Sequence, residues 1–182
     1  MYDKIIASEA QGTAIGQTYS EMPDDVTAGA KVAYAVFVQE VREQFAALST
    51  RIKVQFQDDD PYSSFEEMAQ DVRENRRLKI YKTADDQVHP LMCRWDNNRF
   101  RAVHDFHGHY RTGRGFDRHG EEAAWFRHSQ MFSPLARRAM TTETRGQSSA
   151  FIWVNGGKVF PPQKAVLLPL WMSDTRTVIT AP

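Results

Sequence analysis

The chain has 182 residues, 41% hydrophobic and 25% charged, with 23 Lys+Arg against 23 Asp+Glu and a formal net charge of zero. That is enough for one domain burying about two-thirds of its unfolded surface, and the even charge argues against a generic polyanion binder, so nucleic acid is not favoured as a partner. Cys93 is the single cysteine, which excludes an intramolecular disulfide and a thiolate-rich zinc site and suits a reducing cytoplasm. No signal-peptide core and no apolar run of spanning length appears, so a cytoplasmic protein without membrane contact is expected.

The expected organisation is a polar N-terminal arm over 1–23, then one compact, mainly α domain over 24–182 with one or two short β-hairpins. Gly12, Gly16 and Pro23 mark the arm. Ala30 to Leu48 carries Val32, Val36, Val38, Val41 and Phe45 near helical period and predicts the first helix. Arg51 to Gln57 alternates as a half-buried strand. Asp58 to Pro61 reads as a loop, and Ser64 with Glu67 makes a capping box for a helix to about Asn75. Leu78 to Lys82 is a second short strand, followed by a polar loop over Thr83 to Val88.

Further on, Asn98 is placed to cap a helix from about Arg99, with Gly108 as its terminator. Arg111 to Gly115 is a loop, and Glu121 to Met131 a helix. Ser133-Pro134 opens the next helix, which is expected to stop at Gly146. Asn155-Gly156-Gly157 between two apolar runs reads as a hairpin, and Pro161 to Leu168 as a short helix. Charge is uneven. Asp58 to Glu74 is acidic, whereas Arg99 to Arg145 holds nine Arg and five Asp/Glu, a segment that an anionic substrate or partner can approach.

Chemistry concentrates in one stretch. Five of six histidines, His104, His107, His109, His119 and His128, fall within it, and histidine is the commonest metal ligand and the readiest general base near neutral pH. On an unbroken α-helix, positions five apart diverge by about 140°; a helix ending at Gly108 lets His109 swing back towards His104. His104 and His107, three apart, are the competing pair. For a carboxylate, Glu143 shares a helix side with Ala136 and Met140 and so points towards a core, where it needs metal or a partner such as Arg145. Glu121 and Glu122 are alternatives, although acids at a helix start commonly serve the dipole.

The segment His104-Asp-Phe-His-Gly-His109 resembles the iron-binding segment of the pterin-dependent aromatic amino acid hydroxylases, His-(Asp/Glu)-x-x-Gly-His, whose third ligand is a glutamate some forty residues on. Glu143 follows His109 by 34 residues. The resemblance implies His104, His109 and Glu143 as a two-His, one-carboxylate site for Fe(II), on a largely helical fold like a reduced version of that catalytic core. It covers a quarter of the chain. The Pro-Asp expected before the first histidine is Ala102-Val103, and the Val/Ile-Pro after the second is missing. The block from Phe100 to Gln147 also looks like phage-encoded domains of unassigned function.

Three functions follow. A mononuclear iron oxygenase would use Asp105 or His107 to orient the ligands. Arg114, Arg118 and Arg145 would be candidate clamps for a substrate carboxylate or phosphate, and Trp125, with Phe100 and Tyr110, a candidate stacking surface for a pterin. A zinc hydrolase would use the same ligands with Glu121 or Glu122 as general base. A binding module without catalysis would use the Arg-rich face with its interspersed aromatics.

Overall fold

A computed structural model describes residues 1–84 and 88–181. The chain is mainly helical, 61% helix and 8% strand, with two sheets of two strands each. In chain order come β1 (Ile5–Ile6), α1 (Glu9–Glu21), α2 (Ala28–Ser49), β2 (Lys53–Gln57), α3 (Phe65–Asn75), β3 (Arg77–Tyr81), α4 (Arg94–His104), α5 (Arg118–Ser129), α6 (Pro134–Thr141), α7 (Gln147–Ser149) and β4 (Ile179–Thr180). Wider π turns extend two helices: Asp105–Tyr110 follows α4, and Thr142–Gly146 and Ala150–Val154 flank α7.

The main core forms where α2, α4, α5 and α6 meet: Phe37 and Val41, Phe100 and Val103, Trp125, and Ala139 with Met140. Large apolar side chains buried in this way contribute about 1.5–3 kcal/mol each. Thr27 caps α2, Ser64 caps α3 and Ser133 caps α6, each accepting a hydrogen bond from the amide three residues on. These are the local signals that start helices where apolar periodicity begins.

Neither sheet is a hairpin. β2 and β3 run parallel, Lys53 opposite Arg77 through Gln57 opposite Tyr81, with α3 as the crossover that a parallel pair requires. β1 and β4 join the two ends of the described chain in an antiparallel pair. The expected hairpin at Asn155 is instead a turn closing the last π segment, with Gly157 N–H donating to Phe151 O at 2.8 Å. Part of the expected 83–88 loop lies outside the described residues.

Three other expectations change. The N-terminal arm is a docked helix: α1 buries Ile15 and Tyr19 and crosses the helix end near Ser149, where a Cβ on Gly16 would come within 2.7 Å of Ser149 O. Its contact face is built partly of glycine, so hydrophobic periodicity alone misses it. Gly146 does not stop its helix. It allows Leu168 and Tyr19 to press on the backbone, at 2.9 and 3.0 Å from where a Cβ would sit. Segment 161–169 is not helical, because side chains take its carbonyls. Tyr19 Oη donates to Pro162 O at 2.7 Å, and Thr142 Oγ1 to Val166 O at 2.8 Å. Among the described residues, no helix is long and apolar enough to cross a membrane.

Candidate metal centre

The α4 helix starts at Arg94, earlier than Asn98; the Asn98 amide oxygen instead accepts from Thr83 N and Oγ1 at 2.8 and 2.9 Å. Nor does the helix end at Gly108. It widens into the π turn Asp105–Tyr110 and stops only at Gly113, whose φ of +70° suits glycine. In a π turn the backbone bonds run from i to i+5, so residues five apart stack on one face. His104 and His109 are such a pair, with ring centroids 5.2 Å apart and nearly perpendicular. Gly108 lies between them against α5; a Cβ there would stand 3.0 Å from Ala124 Cβ and 3.2 Å from His104 Cε1.

The third member comes from the start of α5. Asp117 caps that helix, accepting from His119 and Gly120 amides at 2.7 and 2.9 Å, and Glu121 projects from its first turn. One ligand atom each of His104, His109 and Glu121 lies within 4.8 Å of the others. Glu121 Oε1 is 3.5 Å from His109 Nε2.

Hydrogen bonds set the tautomers. His109 Nδ1 faces two carbonyls, Arg114 O and Gly115 O, both at 3.1 Å. Carbonyls only accept, so Nδ1 carries the proton and Nε2 presents a lone pair. His104 is set through a relay. Gln44 donates its amide N–H to Met131 O, which turns its Oε1 towards His128 Nε2 at 2.8 Å. His128 therefore holds its proton on Nε2 and accepts at Nδ1 from His104 Nδ1 at 3.2 Å. His104 Nε2 is left as a lone pair. It is buried and has no hydrogen-bond partner among the described residues.

Burial disfavours charge on all three rings. It holds His104 and His128 well below the ordinary histidine value, with neighbouring histidines adding to the effect, and lowers His109 as well. Burial, with the Asp117 carboxylate adding, pushes Glu121 up to about 8. Two neutral imidazoles with lone pairs facing a carboxyl reluctant to ionise alone form a donor set that could hold a divalent cation.

This cluster lies on a cavity of about 740 Å³ with Phe100, Phe116, Phe151 and Phe160 among its walls. Glu143 lines the same cavity but is not one of the three converging ligands. Its Oε1 accepts from Tyr34 Oη and from His89 Nε2, the latter at 3.0 Å, and its Oε2 from Gln147 Nε2 at 3.0 Å. His89 accepts the Leu91 and Met92 amides at Nδ1, which leaves its proton on Nε2 for Glu143.

The remaining candidates divide. Asp105 lines the cavity, and burial pushes it up to about 6. Arg118 also lines it, with its guanidinium 5.3 Å from the Trp153 ring centroid. His107 lies behind, 5.7 Å from the His128 ring. Three are taken up elsewhere by packing or hydrogen bonding. Arg114 donates to Tyr2 O and Asp3 O at 2.8 and 2.9 Å. Trp125 is fully enclosed and donates to Thr141 Oγ1 at 3.0 Å. Arg145 is buried, with Glu122, Gln11, Met172 O and Thr177 all accepting from it. Glu122 is thereby committed to Arg145. His119 accepts the Ala7 amide at 2.9 Å.

Sequence reasoning gave no role to Gln44, His128, His89 or Tyr34. Only His128 carried a signal, its membership of the histidine-rich stretch; the others act on their partners from 54 or more residues away. No family model, curated protein or solved structure matches the chain, so the reading of this centre rests on its own geometry.

Proposed function

We propose that the chain is a metal-dependent enzyme that binds one divalent cation through His104 Nε2, His109 Nε2 and Glu121. The observation that carries this is the buried, unpartnered Nε2 of His104 beside the Nε2 of His109 and the Glu121 carboxylate. An unsatisfied buried acceptor is costly unless something binds it. Two imidazoles and a carboxylate with open positions suit non-haem Fe(II), so oxygen-dependent oxidation of a small molecule held in the Phe-lined cavity is the favoured reaction. Iron would supply oxygen activation. The protein would supply the two tautomer-fixed rings, the charge of Glu121 and an apolar enclosure.

The donor types are those of the hydroxylase resemblance, but the carboxylate beside the rings is Glu121, 12 residues after His109, and not the distant Glu143 that the resemblance implies. Trp125 and Arg145 are too engaged elsewhere to support a pterin. A zinc hydrolase is the second reading: the same three ligands suit catalytic zinc, and Asp105 and Glu143 on the cavity wall offer carboxylates for proton transfer to and from water.

Anaerobic Fe(II) titration tests the centre. One equivalent should bind to the native protein and to E143Q, and binding should be lost in H104A and E121Q. Binding untouched by E121Q refutes the ligand assignment. Oxygen consumption by the iron-loaded protein with a reductant separates oxidation from hydrolysis, which consumes none.

A further inference from the structure

A second pocket of about 630 Å³ lies outside the metal cavity, lined by Arg73, Arg111 and Arg127 together with Tyr2, Phe65 and Tyr110. The two pockets share no lining residue. Among the described residues, no acidic side chain lines this one. The side chains of Arg111 and Arg127 have no hydrogen bond or ion pair among the described residues, and that of Arg73 has only a 3.5 Å contact with the exposed Glu74.

The usual i±4 acidic partners are missing by sequence: four residues before Arg111 stands His107, and four before Arg127 stands Ala123. The field of the two arginines is felt nearby, for they add to burial in depressing His107 to about 4. In a chain of zero net charge, three arginines around a concave aromatic-bearing surface, two of them without an acidic partner among the described residues and the third paired only with exposed Glu74, form a local positive excess that suits an anion. Guanidinium forks match phosphate oxygens bidentately, and aromatic rings offer a surface to a base.

We infer that this pocket binds nucleotide phosphates, Arg111 and Arg127 taking the phosphate oxygens and the Tyr2, Phe65 and Tyr110 side chains bounding the base. The source can be a free nucleotide or a nucleic-acid strand, and the inference does not depend on the metal centre.

The test is a titration of the metal-free full chain with ATP, with inorganic pyrophosphate and with a short oligothymidylate, followed by calorimetry or anisotropy. ATP or the oligonucleotide should bind, more tightly than pyrophosphate. R111Q and R127Q should each weaken binding by about tenfold. R51Q, which removes an exposed cation that lines no part of the pocket, should leave it within about twofold. Tighter binding of ATP than of the oligonucleotide assigns a free nucleotide, and the reverse assigns a strand. No binding of either, equal binding of pyrophosphate, or a loss in R51Q as large as in R111Q overturns the inference. Both target arginines lie at the surface or half-buried, and unchanged circular dichroism and unfolding midpoints will show that the variants fold.

Discussion

At the scale of single residues, the centre is governed by which nitrogen carries a proton. Gln44 lies two contacts away from the cluster, yet its amide oxygen orders the protons of His128 and, through it, His104. Replacing it with an apolar residue of similar size, Q44M, removes that acceptor without opening a cavity. Metal affinity should fall by about tenfold, the effect typical of an outer hydrogen-bond partner, with little change in unfolding midpoint; zinc calorimetry checks this.

The titrating groups predict a pH optimum of stability for the metal-free protein. Histidines that burial lowers are protonated more readily in the unfolded chain, so their contribution is lost as pH falls below 6.5, reaching about 4 for His107. Glu121 does the reverse. Its folded value of about 8 lies above its ordinary 4.5, so its contribution is lost as pH climbs towards 8. Stability should therefore peak near pH 6.5 and decline from there to about 8. Saturating metal, which displaces the Glu121 proton, should abolish the upper decline. Urea midpoints across this range, with and without Zn(II), measure both limbs.

At the scale of elements, the π turn is the device that makes a site from a helix. An α-helix would send His104 and His109 to different sides; one wider turn aligns them, while Gly108 lets α5 come close enough to deliver Glu121. G108A should therefore damage both packing and site. A stability loss of about 1–3 kcal/mol is expected from overpacking, together with metal affinity reduced beyond what Q44M shows, read by denaturant unfolding and metal titration.

Much at this level was legible: the caps at Ser64 and Ser133 and the apolar stripe of α2 depend on neighbours within one turn, where local chemistry decides. The His104–His109 pair was legible too, because it needed only adjacent sequence. Its mechanism was not, since a π turn and a glycine-terminated helix bring the two rings together from the same residues. Nor was α1, whose contact face is part glycine and shows no apolar stripe.

At the scale of the molecule, Arg145 ties distant parts together. Its guanidinium reaches Glu122 on α5, Gln11 on α1, and Met172 O and Thr177 near the C-terminal strand. R145M should cost about 3–5 kcal/mol, because Glu122 is left buried without its partner. The double variant R145M/E122L should recover much of that loss, measured by urea unfolding of all three proteins. Failure to recover would mean that the bonds to the chain ends matter more than the buried charge.

The amino-acid sequence by itself determined a mainly helical fold, the capped starts of α3 and α6, and a stretch rich in histidine, because propensity, capping and short spacings act within a few residues. Only the tertiary structure decided which carboxylate joins the rings. Glu121 and Glu143 are both glutamates near one cavity, and what separates them is what surrounds each. Tyr34, His89 and Gln147 converge on Glu143 and satisfy it, whereas the Glu121 carboxyl faces the two imidazoles and has no hydrogen-bond donor among the described residues. That difference comes from residues as much as 109 positions apart, and no local pattern encodes it.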